Sequence, residues 1–209
     1  MSIRDRIRPI KHLQNKYFIC VLENPQNVTN IASAYRNISA FGVEKLYIVD
    51  KDGDKKDFES SRNSKHLTSL SVGANKWVYV KYFNTANECI EHLRKNNYII
   101  AVTSSHNKDK KNVYLYEASF TQKRLAVWFG NESKGISDVA VKNADLCIQI
   151  PMGGIVESLN LGTSTGIILS YISYQRLEYV FANQKARFKP KGIAEQKMRS
   201  WHNFIDQNR

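Results

Sequence analysis

The chain has 209 residues, of which 42% are hydrophobic and 24% charged; this is the composition of one globular domain with terminal extensions and excludes a disordered chain. The formal net charge is +12, and it gathers at the ends: Arg4, Arg6, Arg8, Lys11 and Lys16 against Asp5 give +4 over residues 1–16, and eight basic residues against Glu178, Glu195 and Asp206 give +5 over 174–209. Basic arms on a nearly balanced middle point to a polyanion, nucleic acid first, as the partner.

Apolar runs of strand length recur at 17–22, 46–49, 77–80, 98–102, 125–129 and 146–150. They are rich in Val, Ile, Tyr and Phe, and several are continuously apolar, as strands buried on both faces of a parallel sheet must be. Helical spacing lies between them. Ile31, Ala34, Tyr35, Ile38 and Phe41 recur at three- and four-residue steps before Gly42, a helix stop, and Ala86, Cys89, Ile90 and Leu93 repeat the pattern. Ser137 is placed to cap a short helix through Asn143, and a longer helix is expected from 159–163 to about Val180. Strand alternating with helix predicts an α/β fold with a mostly parallel sheet flanked by helices. Residues 51–64 and 104–112 are charged and aperiodic and read as surface loops. In the tail, Lys189-Pro190-Lys191-Gly192 breaks any helix, with a short helix expected through Trp201 and Phe204. The expected organisation is a basic extension over 1–16, a main domain over 17–175 and a basic extension over 176–209.

Several chemistries lack their residues. There is no GxGxxG, no GxxxxGK[ST] and no GxSxG, and the five histidines pair with no Cys or His at zinc spacing, so no metal is implied. Cys20, Cys89 and Cys147 are scattered in apolar surroundings, which suits a reducing compartment and buried thiols. Met1 is followed by alternating charge instead of an apolar leader, and no segment is apolar enough to span a bilayer. A cytoplasmic protein without membrane contact is expected.

Polar clusters follow three of the apolar runs, where α/β folds place ligands. Asn30, after the first run, is placed to cap the first helix, and Arg36 lies off its apolar stripe between Ala32 and Ala40. Phe129-Gly130-Asn131-Glu132-Ser133-Lys134-Gly135 follows a strand; Gly130 would let a ligand approach the backbone, and Glu132 by itself reads as a solvent-facing turn residue. Ile150-Pro151-Met152-Gly153-Gly154 ends another strand and leads to Glu157-Ser158-Leu159-Asn160 at the mouth of the long helix, with Ser158 a candidate N-cap. Met152 and Leu159 offer apolar walls to a flat heterocycle, and Thr103 ends the strand at 98–102.

These three clusters, in this order and spacing, closely resemble the motifs of the SpoU/TrmH group of SPOUT RNA 2'-O-methyltransferases. The likeness covers roughly 17–175, and SLSVGANKWVYVKYF with the short basic ends resembles the branch acting on guanosine 18 of tRNA. The resemblance implies a C-terminal deep trefoil knot, an obligate homodimer, S-adenosyl-L-methionine as cofactor and tRNA as substrate. It implies that Arg36 activates the ribose 2'-hydroxyl, in a cofactor site on the other subunit, with Asn30, Glu132, Ser158 and Asn160 in the catalytic network. Glu132 would then orient Arg36 or its partner. Thr103, Gly130, Ile150, Met152 and Leu159 would hold the cofactor. A guanidinium keeps its proton at physiological pH, so holding a phosphate and polarising the hydroxyl stand beside true base catalysis as roles for Arg36. Leu161-Gly162-Thr163 and Trp128 depart from the family's usual residues and are expected to reshape the methionine end of the pocket. The alternatives are the same reaction on ribosomal RNA or another tRNA position, and a non-catalytic RNA-binding paralogue; the presence of Asn30, Arg36 and Asn160 speaks against the last.

Overall fold

Alternation along β1 (Asn15–Glu23) sets up two layers: Phe18, Cys20 and Leu22 enter one apolar cluster, Ile19 and Val21 another, and all five are buried. Successive side chains of a strand point to opposite faces, so a strand covered on both sides reads as an unbroken apolar run. The structure is a computed structural model and describes residues 15–50, 64–104 and 112–184. Most of the expected loops at 51–64 and 104–112, the first 14 residues and the tail from 185 lie outside the described residues. Gln14–Gln175 form one compact unit, which holds the site; Arg176 onward belongs to a second, of which residues 176–184 are described.

After β1 come α1 (Val28–Ala40), β2 (Val43–Val49), α2 (Lys65–Leu70), a turn of 3-10 helix (Ala74–Lys76), β3 (Tyr79–Phe83) and α3 (Ala86–Lys95). The chain continues through β4 (Ile99–Thr103), β5 (Asn112–Tyr114), β6 (Leu125–Phe129), α4 (Asp138–Lys142), β7 (Leu146–Gln149) and α5 (Leu161–Gln184). The seven strands form one sheet in the order β3-β2-β1-β6-β4-β7-β5, every neighbouring pair parallel. Helices α1, α2 and α5 cover one face with Tyr35, Ile38, Leu67, Leu169 and Ile172. Helices α3 and α4 cover the other, where Cys89, Leu93 and Ala140 surround Trp128. All five residues of β6 are buried, as its unbroken apolar run requires. The parallel α/β class expected from alternating runs is the one observed.

The differences are local. Asn27, not Asn30, caps α1, its side chain accepting from the N–H groups of Thr29 and Asn30. β3 starts at Tyr79 because Trp77 closes the 3-10 turn, and β7 stops at Gln149, ahead of Ile150 and Pro151. Asn112–Tyr114, read partly as loop, adds β5 at the sheet edge beside β7. Three residues next to a charged run carry too little pattern to announce a strand. Helix α2, six residues long and capped by Ser64, was hidden in the same way. Ser137 caps α4 as expected, and Gly42 ends α1 at positive φ.

Candidate active site

In a parallel sheet all carboxyl ends lie on one side, and there the loops after β4, β6 and β7 meet. They enclose a cleft of about 340 Å³, within the range of small-molecule sites. Thr103 and Ser104 line it from β4, Gly130 to Ile136 from the β6 loop, and Ile148, Ile150 and Met152 from β7. Ser158, Leu159, Leu161 and Ile168 close it from the start of α5. Thr103, Gly130, Ile150, Met152 and Leu159, far apart in sequence, therefore share one cavity. The Thr103 hydroxyl donates to the Trp128 carbonyl at 3.1 Å, which ties the ends of β4 and β6 together.

The β6 loop is built by Asn131. Its carboxamide oxygen accepts from the Ser133 and Lys134 N–H groups at 2.8 and 2.9 Å, and its amide donates to the Asn24 carbonyl at 2.6 Å. Backbone bonds to Gly135 close the turn, with Gly135 at φ 70°. A Cβ on Gly130 would collide with the Gly135 backbone and come within 2.5 Å of the Ile136 nitrogen. Glycine at 130 is therefore required by the turn itself.

Beside the cleft a directed chain of hydrogen bonds joins three segments. The Asn160 side-chain oxygen accepts from the Gly162 and Thr163 N–H groups at 2.8 and 3.3 Å and so caps α5. Its amide must then donate, and it does so to Asn30 Oδ1 at 2.9 Å; Asn30 Nδ2 in turn donates to Glu132 Oε1 at 2.9 Å. Glu132 Oε2 also accepts from the Gln26 N–H at 3.4 Å. Burial alone would raise the Glu132 pKa. The hydrogen bonds from Asn30 and from backbone N–H groups outweigh it and hold the carboxyl below its ordinary range. Asn160, not Ser158, is the N-cap of α5, and Ser158 is an exposed residue on the rim of the cleft.

Arg36 stands apart from this group. It is exposed on α1, does not line the cleft and makes no ion pair with Glu132; Asn30 takes that carboxylate instead. Trp128, expected to shape the pocket, lies on the opposite face of the sheet, where its Nε1 donates to the buried Glu23 carboxylate at 2.9 Å. Glu23 Oε2 also accepts from the Ser137 N–H at 3.2 Å and so anchors the start of α4. Sequence reasoning missed Glu23, although an acid ending an apolar strand was the available signal. Asn37 was also missed: it donates to the Gly162 carbonyl and to Thr165 Oγ1, both at 2.9 Å, and fastens α1 to α5. Gly162, the departure noted in the sequence, meets α1 closely, a Cβ there lying 2.8 Å from Ser33 Cβ. Cys20, Cys89 and Cys147 are buried free thiols, and burial pushes the first two far up in pKa. Among the described residues no group of three acids, His or Cys could hold a metal, and no helix is long and apolar enough to cross a membrane.

Residues 17–170 match the SpoU rRNA Methylase family. The tRNA (guanosine(18)-2'-O)-methyltransferase of Aquifex aeolicus is 32% identical over 174 residues, covering 83% of this chain and 76% of that protein. The enzyme of the same name from Thermus thermophilus is 29% identical over 175 residues, 84% of each chain. Among solved structures, the A. aeolicus TrmH/SpoU tRNA modifying enzyme aligns with a TM-score of 0.72 at 26% identity, over 99% of this chain and 98% of that one. The SpoU methyltransferase AviRb from Streptomyces viridochromogenes, solved in complex with AdoMet, shares the fold: TM-score 0.66, 20% identity, 79% of this chain and 62% of that one.

Proposed function

The chain belongs to the SpoU rRNA Methylase family, and from that premise we propose that it is an S-adenosylmethionine-dependent 2'-O-methyltransferase of tRNA, acting on guanosine 18. The observation that carries this is the cleft at the carboxyl ends of β4, β6 and β7 beside the Asn160–Asn30–Glu132 chain. The names of the A. aeolicus and T. thermophilus relatives support the substrate.

The cleft suits the cofactor in size and lining. Ile150, Met152 and Leu159 give apolar walls, and Thr103 and the backbone around Gly130 give polar edges. Those five residues would hold S-adenosylmethionine, which supplies an electrophilic methyl group on a sulfonium. The ribose 2'-oxygen would gain that methyl, leaving a neutral thioether, and its proton would pass to water, so the protein must orient the hydroxyl and polarise its O–H bond. Arg36 does this by offering guanidinium N–H groups to the hydroxyl and to a neighbouring phosphate. Asn30, Glu132 and Asn160 position the segments around the reacting ribose, and Ser158 contributes a hydroxyl at the rim.

Since Arg36 does not line its own subunit's cleft, the working unit in this reading is a homodimer in which Arg36 of one subunit serves the cleft of the other. Exposed apolar side chains beside the cleft, Met152, Ile155 and Val156, support such a covered face. The fold shared with the A. aeolicus enzyme supports a knotted C-terminal half, and the substrate suits a cytoplasmic location. The test is to incubate the purified protein with S-adenosylmethionine and unmodified tRNA and map the products by mass spectrometry. A methylated ribose at guanosine 18 is expected; methylation elsewhere, or none, overturns the assignment.

A further inference from the structure

The face of the sheet that α3 covers carries positive charge along β2 and β3 and beside the amino end of β6. Strand alternation aims Lys45 and Tyr47 of β2, and Tyr79, Lys81 and Phe83 of β3, to this side; Tyr47 and Phe83 join its core cluster while Tyr79 is exposed. The last turn of α3 adds His92 and Lys95. Lys81 Nζ lies 3.2 Å from His92 Nδ1 and 5.1 Å from the Phe83 ring centre, and the Tyr47 hydroxyl lies 3.3 Å from His92 Nε2. Toward the sheet centre, Arg124 sits 5.3 Å from the exposed Tyr17 ring and 5.9 Å from that of Tyr98, with Lys123 5.9 Å from Tyr17. Among the described residues Lys45, Lys81 and Lys95 make no ion pair, while their neighbour Arg94 pairs with Asp145. His92 is held below its ordinary pKa by burial first and then by Lys81, Lys45 and Lys95, which places the three lysines around it.

We propose that this stripe, from Tyr79 and Lys81 through Lys45 and Lys95 to Tyr17 and Arg124, is a second docking surface for the substrate RNA and grips its sugar–phosphate backbone. The proposal rests on the RNA methyltransferase reading. Uncompensated cations interleaved with exposed tyrosines fit a chain of phosphates with stackable bases, whereas an acidic protein surface would leave the rings unused. The stripe reaches from mid-strand to the amino ends while the cleft lies at the carboxyl ends, within a strand length of about 17 Å, a span that a folded RNA bridges readily. Lys45, Lys81 and Lys95 supply the charge, with Lys81 held in place by His92 at 3.2 Å.

Binding of unmodified tRNA to the full-length protein across a salt series tests this. The triple variant Lys45→Gln, Lys81→Gln, Lys95→Gln should bind about tenfold more weakly, with a log–log salt slope shallower by about 2. It should raise KM for tRNA, keep kcat at saturating tRNA and keep its affinity for S-adenosylmethionine. The triple change to Arg should stay close to wild type. If the Gln variant keeps wild-type affinity and slope, the surface is refuted while the methyltransferase reading stands. If the wild-type protein binds no tRNA, both fail. If the Gln variant loses S-adenosylmethionine as well, it has misfolded, and Lys95→Gln alone, at an exposed helix end, decides: an unchanged slope refutes the surface.

Discussion

Asn30 and Arg36 share one helix, yet six residues at helical pitch set them about 120° apart around it. Asn30 is therefore buried between Glu132 and Asn160 while Arg36 faces outward. Spacing alone revealed that both belong to α1, but the Asn30 side chain is engaged by groups more than 100 residues away, which no local pattern reports. Arg36→Ala should abolish methyl transfer and leave thermal stability and S-adenosylmethionine affinity unchanged, as judged by single-turnover assay, melting and calorimetry. Arg36→Lys should also be poor, since an ammonium lacks the planar fork. Glu132 makes a prediction in pH. Its folded pKa lies below the ordinary value, so its stabilisation is complete above about pH 4.3, the unfolded value, and fades as pH falls through the folded one. The melting-temperature gap between wild type and Glu132→Gln should be open at neutral pH and narrow below about pH 4. A gap constant from pH 7 to 3 would show that the Glu132 charge adds nothing there.

At the scale of elements, the start of α5 concentrates the constraints. Asn160 caps it, Gly162 lets α1 approach, and Asn37 ties the two helices. Asn160→Ala should cost about 1 kcal/mol from the lost cap, with more from the orphaned Asn30. Gly162→Val forces a branched side chain against Ser33 and should cost about 1–3 kcal/mol by urea denaturation, unless the helices part. The strands and the long helices were legible because their apolar periodicity is strong and each spans a whole element. What escaped was short or used polar atoms: α2, β5, and the caps at Asn27 and Asn160, where several Asn and Ser residues compete for one role within a few positions. Choosing among Asn27 and Asn30, or Ser158 and Asn160, depends on where the chain enters the helix, which is set by tertiary packing.

For the whole molecule, the sequence motifs converge because a parallel sheet collects its carboxyl ends at one side. The five residues expected to hold the cofactor, spread from Thr103 to Leu159, thus line one cleft.

 The placement of Arg36 outside that cleft is the part no motif conveys, and the proposed shared site is what would bring it to the reaction. In solution the protein should be a homodimer at micromolar concentration by light scattering. Mixing Arg36→Ala and Asn160→Ala chains should restore part of the activity that each lacks alone, since a hybrid dimer retains one intact composite site. A fully active monomer would refute the shared site.

The most direct measurement is methyl transfer to two synthetic tRNAs that differ by one oxygen, with guanosine or 2'-deoxyguanosine at position 18. Ribose methylation by this chain at that position predicts transfer of one methyl group to the first and none to the second, with both RNAs binding alike. Equal methylation of the two would contradict it, because the accepting atom would then lie on a base or at another nucleotide.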